Sequence, residues 1–171
     1  MKSRFLLRIC GILMLCGAAS VQCAEEQCTD RPECWPEGSA MRTLLLQGEQ
    51  GSRLEETLRK SHEELVALVA AAKVQSRGMT LQPPPRLIDA LKSQQIAWVK
   101  YRDEECELLG ALTEAGGQWP SAHATRCSNN LTDLRLKRIQ AARSCILRIP
   151  EESRLFGQAN CLQQLAPLVN H

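Results

Sequence analysis

The sequence predicts an all-α fold, a small antiparallel helical bundle or hairpin stapled by disulfides. Three observations predict it. Apolar residues recur at three- and four-residue spacing over long segments, and no segment shows the alternation of a half-buried strand. Breaks rich in Gly and Pro separate those segments, at Gly78 to Pro85, at Gly116 to Pro120 and at Pro150. Six cysteines lie beyond an N-terminal signal-like segment, residues 1–23, an even set that reads as a disulfide framework in an exported chain.

The N-terminus has the layout of a secretory signal, expected to occupy residues 1–23. Lys2, Arg4 and Arg8 form a positive flank, and Ile9 to Val21 is an apolar run too short to span a bilayer comfortably. The favoured cut leaves Val21 at −3 and Cys23 at −1; cuts after Ala24 or Ser20 are alternatives, as is an uncleaved anchor. A lipoprotein anchored through Cys23 is a minority reading, because Gln22 is a poor fit before a lipidated cysteine. The mature chain keeps Cys28, Cys34, Cys106, Cys127, Cys145 and Cys161. Six cysteines allow fifteen pairings, and proximity favours Cys28–Cys34, Cys106–Cys127 and Cys145–Cys161. Closing the Cys106–Cys127 loop is worth roughly 3 kcal/mol on a chain-entropy estimate.

The signal also distorts the charge. Three of the 21 basic residues lie in it and none of the 19 acidic ones does, so the mature chain carries a formal charge of −1. No concentrated basic footprint remains, and a nucleic-acid partner is not expected. No second apolar run of membrane length follows. The rest of the chain divides into 24–85 (a disulfide loop, a helix and a Pro-rich connector), 86–149 (a helical hairpin) and 150–171 (a short terminal helix).

Residues 25–38 are polar and broken by Pro32, Pro36 and Gly38, a loop that Cys28 and Cys34 can close. Ser39 is placed to cap the next helix. Met41, Leu44 and Leu45 begin an apolar stripe that Gly48 and Gly51 weaken, with a kink or short interruption expected there. Ser52 and Glu55 fit a capping box for a fresh start. Leu54, Leu58, His62, Leu65, Leu68, Val69 and Ala72 then recur at helical spacing, with Glu55, Glu56, Lys60, Glu63 and Glu64 mostly off that face. This helix is expected to end near Gly78, and Pro83-Pro84-Pro85 to form a stiff connector.

Leu87 to Leu112 reads as the second long helix. Winding at about 100° per residue puts Leu87, Leu91, Gln94, Trp98, Tyr101, Leu109 and Leu112 on one face, with Arg102 and Glu105 at its edge to pair with each other. A third helix, Ala122 to Arg148, carries Cys127, Leu131, Leu134, Ala142, Cys145 and Ile149 on one side, with Ile139 and Ile146 adjacent. Its basic residues, Arg126, Arg135, Lys137, Arg138, Arg143 and Arg148, are set to oppose Asp103, Glu104, Glu105 and Glu107 across an antiparallel hairpin. Pro150 ends it. A terminal helix from Glu151 to Val169 is tied back through Cys161.

One constellation is specific. Trp98, Tyr101-Arg102-Asp103, Cys106, Gly116-Gly117, Cys127, Leu131-Thr132 and Arg135 follow one another in close order. This pattern, W-x-x-Y-R-D-x-x-C, a Gly-Gly loop, a cysteine and L-T-x-x-R, resembles the LprI-type lysozyme-inhibitor family over roughly residues 91–139. Gln118 stands where the family often has Ser. The resemblance implies an all-helical, disulfide-linked, exported protein that binds and inhibits lysozyme.

The residues divide into architecture and candidate surface. Trp98 and Tyr101 share the apolar face and are expected in the core. Arg102 is expected as an internal ion-pair partner, Asp103, Leu131, Thr132 and Arg135 as structural residues, and Cys106–Cys127 as a staple. The loop Gly116-Gly117-Gln118-Trp119-Pro120-Ser121, with His123 just beyond, is the candidate partner-binding site. Trp119 is either an exposed anchor or a lid folded over the hairpin. A lysozyme cleft presents two carboxylates, which Gln118, Ser121 or His123 can hydrogen-bond. Catalysis is not expected: there is no G-x-S-x-G, H-E-x-x-H or phosphate loop, and His62, His123 and His171 lie on separate elements. No cofactor is expected, and no metal, since the cysteines lack zinc spacing. The sequence therefore predicts a periplasmic or secreted binding protein whose partner is lysozyme or another cell-wall hydrolase. The alternative is an immunity or assembly factor for another envelope target.

Overall fold

The computed structural model describes residues 29–165. The signal segment, Cys23, Cys28, Val169 and His171 lie outside the described residues. Four helices and a small hairpin build the fold: α1 (Ala40–Ala71), β1 (Val74–Ser76), β2 (Met79–Leu81), α2 (Pro85–Ala111), α3 (Trp119–Leu147) and α4 (Arg154–Leu162).

Helix α1 starts where the sequence places it. Ser39 Oγ accepts a hydrogen bond from the Arg42 amide at 3.3 Å, satisfying one free donor of the first turn. The expected interruption does not occur: α1 runs unbroken through Gly48 and Gly51. Ser52 is therefore no cap. It lies in the helix interior, where its hydroxyl donates to the Gly48 carbonyl at 3.1 Å. The glycine at 51 has another cause. A Cβ there would sit 2.7 Å from Asn129 Oδ1, and Asn129 Nδ2 donates to the Gln47 carbonyl at 2.8 Å. The missing side chain lets α3 press a polar side chain onto the α1 backbone.

Helix α1 ends at Ala71, short of Gly78. The intervening residues form an antiparallel hairpin, with Val74 opposite Leu81 and Ser76 opposite Met79. Arg77 and Gly78 both have positive φ, 47° and 81°, as a two-residue turn between twisted strands requires. These strands are three residues long and β2 is exposed throughout, so no alternation marks them in the sequence. Pro85 opens α2 at a position where its missing N–H costs nothing.

Helix α3 is the spine. It packs along α1 on one side and α2 on the other, while α1 and α2 meet less extensively. Gly51 opposite Asn129 and Glu64 opposite Arg143 make α1 parallel to α3. Cys106 bonded to Cys127, and Gly110 opposite Pro120 and Ala124, make α2 antiparallel to it. The core holds Leu58, Leu65 and Val69 of α1, Leu91 of α2, Leu136, Ile139, Ala142 and Ile146 of α3, and Cys161 and Leu165 beyond. Two expected disulfides are present, Cys106–Cys127 between α2 and α3 and Cys145–Cys161 between α3 and α4, with Cα separations of 5.4 and 5.6 Å. Cys34 is disulfide-bonded as well, in the 3-10 turn Pro32–Cys34.

The expected faces need correction in the second half of α2. Tyr101, Leu109 and Leu112 are exposed, as is Leu134 on α3. The buried line of α2 runs instead through Leu91, Arg102, Cys106 and Gly110. Gly110 fixes it, because a Cβ there would lie 2.7 Å from the Pro120 carbonyl oxygen and 3.0 Å from Ala124 Cβ. Contact this close leaves the flanking leucines turned outward. The acidic side of α2 faces away from α3 for the same reason. Among the described residues no ion pair joins the two helices, and Arg143 pairs with Glu64 of α1 at 3.2 Å. The terminal segment is α4 between 3-10 turns at Glu151–Ser153 and Gln163–Leu165.

Candidate functional site

Five residues of the sequence signature, Trp98, Arg102, Asp103, Thr132 and Arg135, meet in one polar cluster around two buried arginines. Trp98 lies between two guanidinium groups, with Arg102 Cζ at 5.4 Å and Arg135 Cζ at 5.6 Å from its ring centroid. Arg102 is 5% exposed. Its Nη1 donates to Thr132 Oγ1 on α3 at 2.8 Å and to Glu55 Oε1 on α1. Its Nε and Nη2 fork onto Asp103 Oδ1 at 2.9 and 2.7 Å. Arg102 is thus an internal ion-pair partner, but its carboxylates are Asp103 and Glu55 rather than Glu105. One side chain ties three helices together.

Arg135, 2% exposed, works differently. Its Nε donates to Gln95 Oε1 at 3.1 Å, its Nη2 to Gln94 Oε1, and its Nη1 to the Leu165 carbonyl at 2.8 Å. Every acceptor is neutral. Burial, and then the charge of Arg138, push its pKa down to about 10, so it remains protonated at neutral pH. Gln94 and Gln95 are partners that sequence reasoning missed as such; Gln94 on an otherwise apolar face was the available signal. Tyr101 stands apart from this cluster, on the surface.

The tip joining α2 to α3 is shorter than the sequence suggested. Leu112 to Gln118 form it, and α3 begins at Trp119. Trp119, Pro120, Ser121 and His123 therefore belong to the start of a helix rather than to a loop. Glu114 and Gly117 have positive φ, 50° and 65°, which turns the chain sharply. Thr113 braces the turn: its hydroxyl donates to the Gly110 carbonyl at 2.9 Å and accepts from the Ala115 amide at 3.5 Å. Gly116, Gly117, Gln118 and Ser121 are exposed; Trp119 and His123 are half-buried. The Trp119 and His123 rings pack at 6.3 Å between centroids, inclined by 49°. No side chain caps α3 and Pro120 carries no N–H, so the Trp119 and Ser121 amides are the donors left without an intrahelical acceptor in the first turn, at the positive end of a 29-residue helix. Chemically this end suits a carboxylate or another anionic oxygen.

A family model described as lysozyme inhibitor LprI matches residues 46–139, more than half of the chain. The chain belongs to the LprI family. The LprI match extends the resemblance read from the signature back into α1. The part of α1 it takes in includes Gln47, Gly51, Glu55, Leu58 and His62, which contact the helices that carry the signature. The LprI region contains the arginine cluster, Cys106–Cys127 and the tip; Cys145–Cys161 and α4 lie outside it. Comparison with curated proteins and with solved structures finds no match. The disulfides of the chain fit an extracytoplasmic location. Among the described residues no helix is long and apolar enough to cross a membrane.

Proposed function

We propose that this LprI-family chain is exported to the periplasm or beyond, with residues 1–23 removed, and there binds and inhibits a peptidoglycan-cleaving lysozyme. Membership of a family described as lysozyme inhibitors carries this reading. The tip is the part we assign to the cleft. Gly116 and Gly117 make it narrow, Gln118 and Ser121 add exposed donors beside the uncapped amides of α3, and His123 lies one turn further on. A lysozyme works with two carboxylates flanking the scissile bond. Donors at a helix N-terminus bind such a group and hold it away from substrate. Trp119, half-buried against His123, supplies the apolar anchor beside them. The chain acts by occupying a site rather than by catalysis.

The test is a peptidoglycan-hydrolysis assay with the oxidised mature chain. Dose-dependent inhibition is expected, and Trp119→Ala is expected to weaken it by about 30-fold with helicity unchanged, corresponding to a contact of about 2 kcal/mol. Absence of inhibition of any lysozyme at micromolar chain would overturn the reading and turn attention to another cell-wall hydrolase.

A further inference from the structure

We infer that the outward face of the second half of α2 is a docking surface for a cationic protein. This rests on the lysozyme reading above and adds a second contact to it. Tyr101, Leu108, Leu109 and Leu112 are 59, 57, 46 and 69% exposed. At about 100° per residue, Tyr101, Leu108 and Leu112 fall in one narrow stripe, with Leu109 on the side nearest the bundle. The stripe leads directly into the tip, whose first residue is Leu112.

The stripe is set in negative charge. Residues 103–118 contain Asp103, Glu104, Glu105, Glu107 and Glu114 and no lysine or arginine. Asp103 is held by Arg102, whereas the other four make no ion pair among the described residues. Their placement is poor for the fold alone. Glu104 and Glu107 are like charges three residues apart, as are Asp103 and Glu107 four apart, and all lie toward the negative end of α2. Exposed Lys100, one turn before Glu104, offsets part of this charge; the remaining like charges gain the fold little and favour a cationic partner.

Charge also selects the occupant. A second copy docking through the same face would set four unpaired carboxylates against four more, which opposes a two-fold dimer here. An anionic lipid surface is repelled likewise. A basic protein with an apolar patch fits both components, and a basic lysozyme engaged at the tip places such a surface within reach of α2. Acidic residues at the rim speed encounter, and the leucines at the centre slow release.

The experiment measures binding of the oxidised mature chain to a basic c-type lysozyme at low and high ionic strength, with inhibition followed in parallel. Leu108→Ser with Leu112→Ser, at exposed positions, is expected to weaken binding roughly tenfold while preserving its salt dependence. Charge reversal of Glu104, Glu105 and Glu107 to Lys is expected to slow association at least tenfold at low salt and to flatten that dependence. The three Glu→Gln changes, with circular dichroism as the fold check, give an intermediate effect. Variants that bind like the native chain while inhibition persists overturn the docking face and leave the tip intact. Binding that depends on α2 without inhibition sustains the docking face and overturns the tip. A native chain that does not bind overturns both. A leucine variant that changes only self-association on sedimentation assigns the face to a second copy and overturns the proposal.

Discussion

Two buried guanidinium groups share the indole of Trp98, and they differ in what balances their charge. Arg102 has carboxylates from Glu55 and Asp103, whereas Arg135 has two glutamine oxygens and a main-chain carbonyl. Removing Arg102 strands Thr132 and leaves a hole where three helices meet. Arg102→Ala is expected to cost about 3–5 kcal/mol in urea unfolding. Glu55 is half exposed to water, so Glu55→Gln is expected to cost about 1 kcal/mol or less. His62 adds a pH dependence. It is buried, its Nε2 lies 3.3 Å from the Leu91 carbonyl, and burial lowers its pKa from 6.5. The folded state therefore prefers the neutral ring. The stability this confers is complete above about pH 6.5 and is lost as pH falls through the lowered folded value. Thermal melts from pH 7 to about pH 5 are expected to fall more steeply for the native chain than for His62→Gln; parallel curves would refute this. The sequence made His62, Trp98 and the internal role of Arg102 legible, because each recurs at helical spacing or sits in the signature. It misplaced Tyr101 because an apolar wheel treats arginine as surface. Here Arg102 takes the inward position and its neighbour turns out.

Elements meet closely at two glycines, and that closeness sets the register of the bundle. Gly110 admits the Pro120 carbonyl and Ala124, while a Cβ at Gly116, a few residues away, would meet nothing within 4 Å. Gly110→Ala is thus expected to push α2 from α3 and cost about 1–3 kcal/mol in thermal or denaturant unfolding. Gly116→Ala, with ordinary φ and open space, is expected to stay within about 0.5 kcal/mol of the native chain. Equal effects would mean that the helix contact does not run through Gly110. Helix existence was legible from periodicity throughout. The boundaries were not, wherever a tertiary contact overrode local chemistry. Ser52 resembles a cap, yet α1 continues because Gly51 faces Asn129. Pro120 resembles a break, yet it occupies the first turn of α3, where proline is tolerated. The exposed hairpin from Val74 to Leu81 offers no buried face to read.

At the scale of the whole molecule, the two disulfides between described residues secure different parts of α3, and their loss should separate stability from inhibition. Cys145–Cys161 closes a separation of 16 residues and holds α4, whose following turn brings the Leu165 carbonyl to Arg135 and Gln94. Cys106–Cys127 closes a separation of 21 residues and clamps α2 to α3 below the tip. The chain-entropy estimate is nearly the same for both, about 3 kcal/mol. Position is what distinguishes them. Replacing Cys145 and Cys161 with serine frees a segment outside the matched LprI region and away from the tip. That variant is expected to melt at lower temperature yet inhibit lysozyme like the native chain under conditions where both are folded. Replacing Cys106 and Cys127 loses comparable stability and also lets the helix ends beneath Gly116 to Trp119 move apart. Inhibition is then expected to weaken by roughly tenfold even when circular dichroism shows full helicity, because a loosened tip must be ordered again on binding. Equal loss of inhibition in both variants, in proportion to their stability, would show that the tip needs only a folded bundle and not the clamp beneath it.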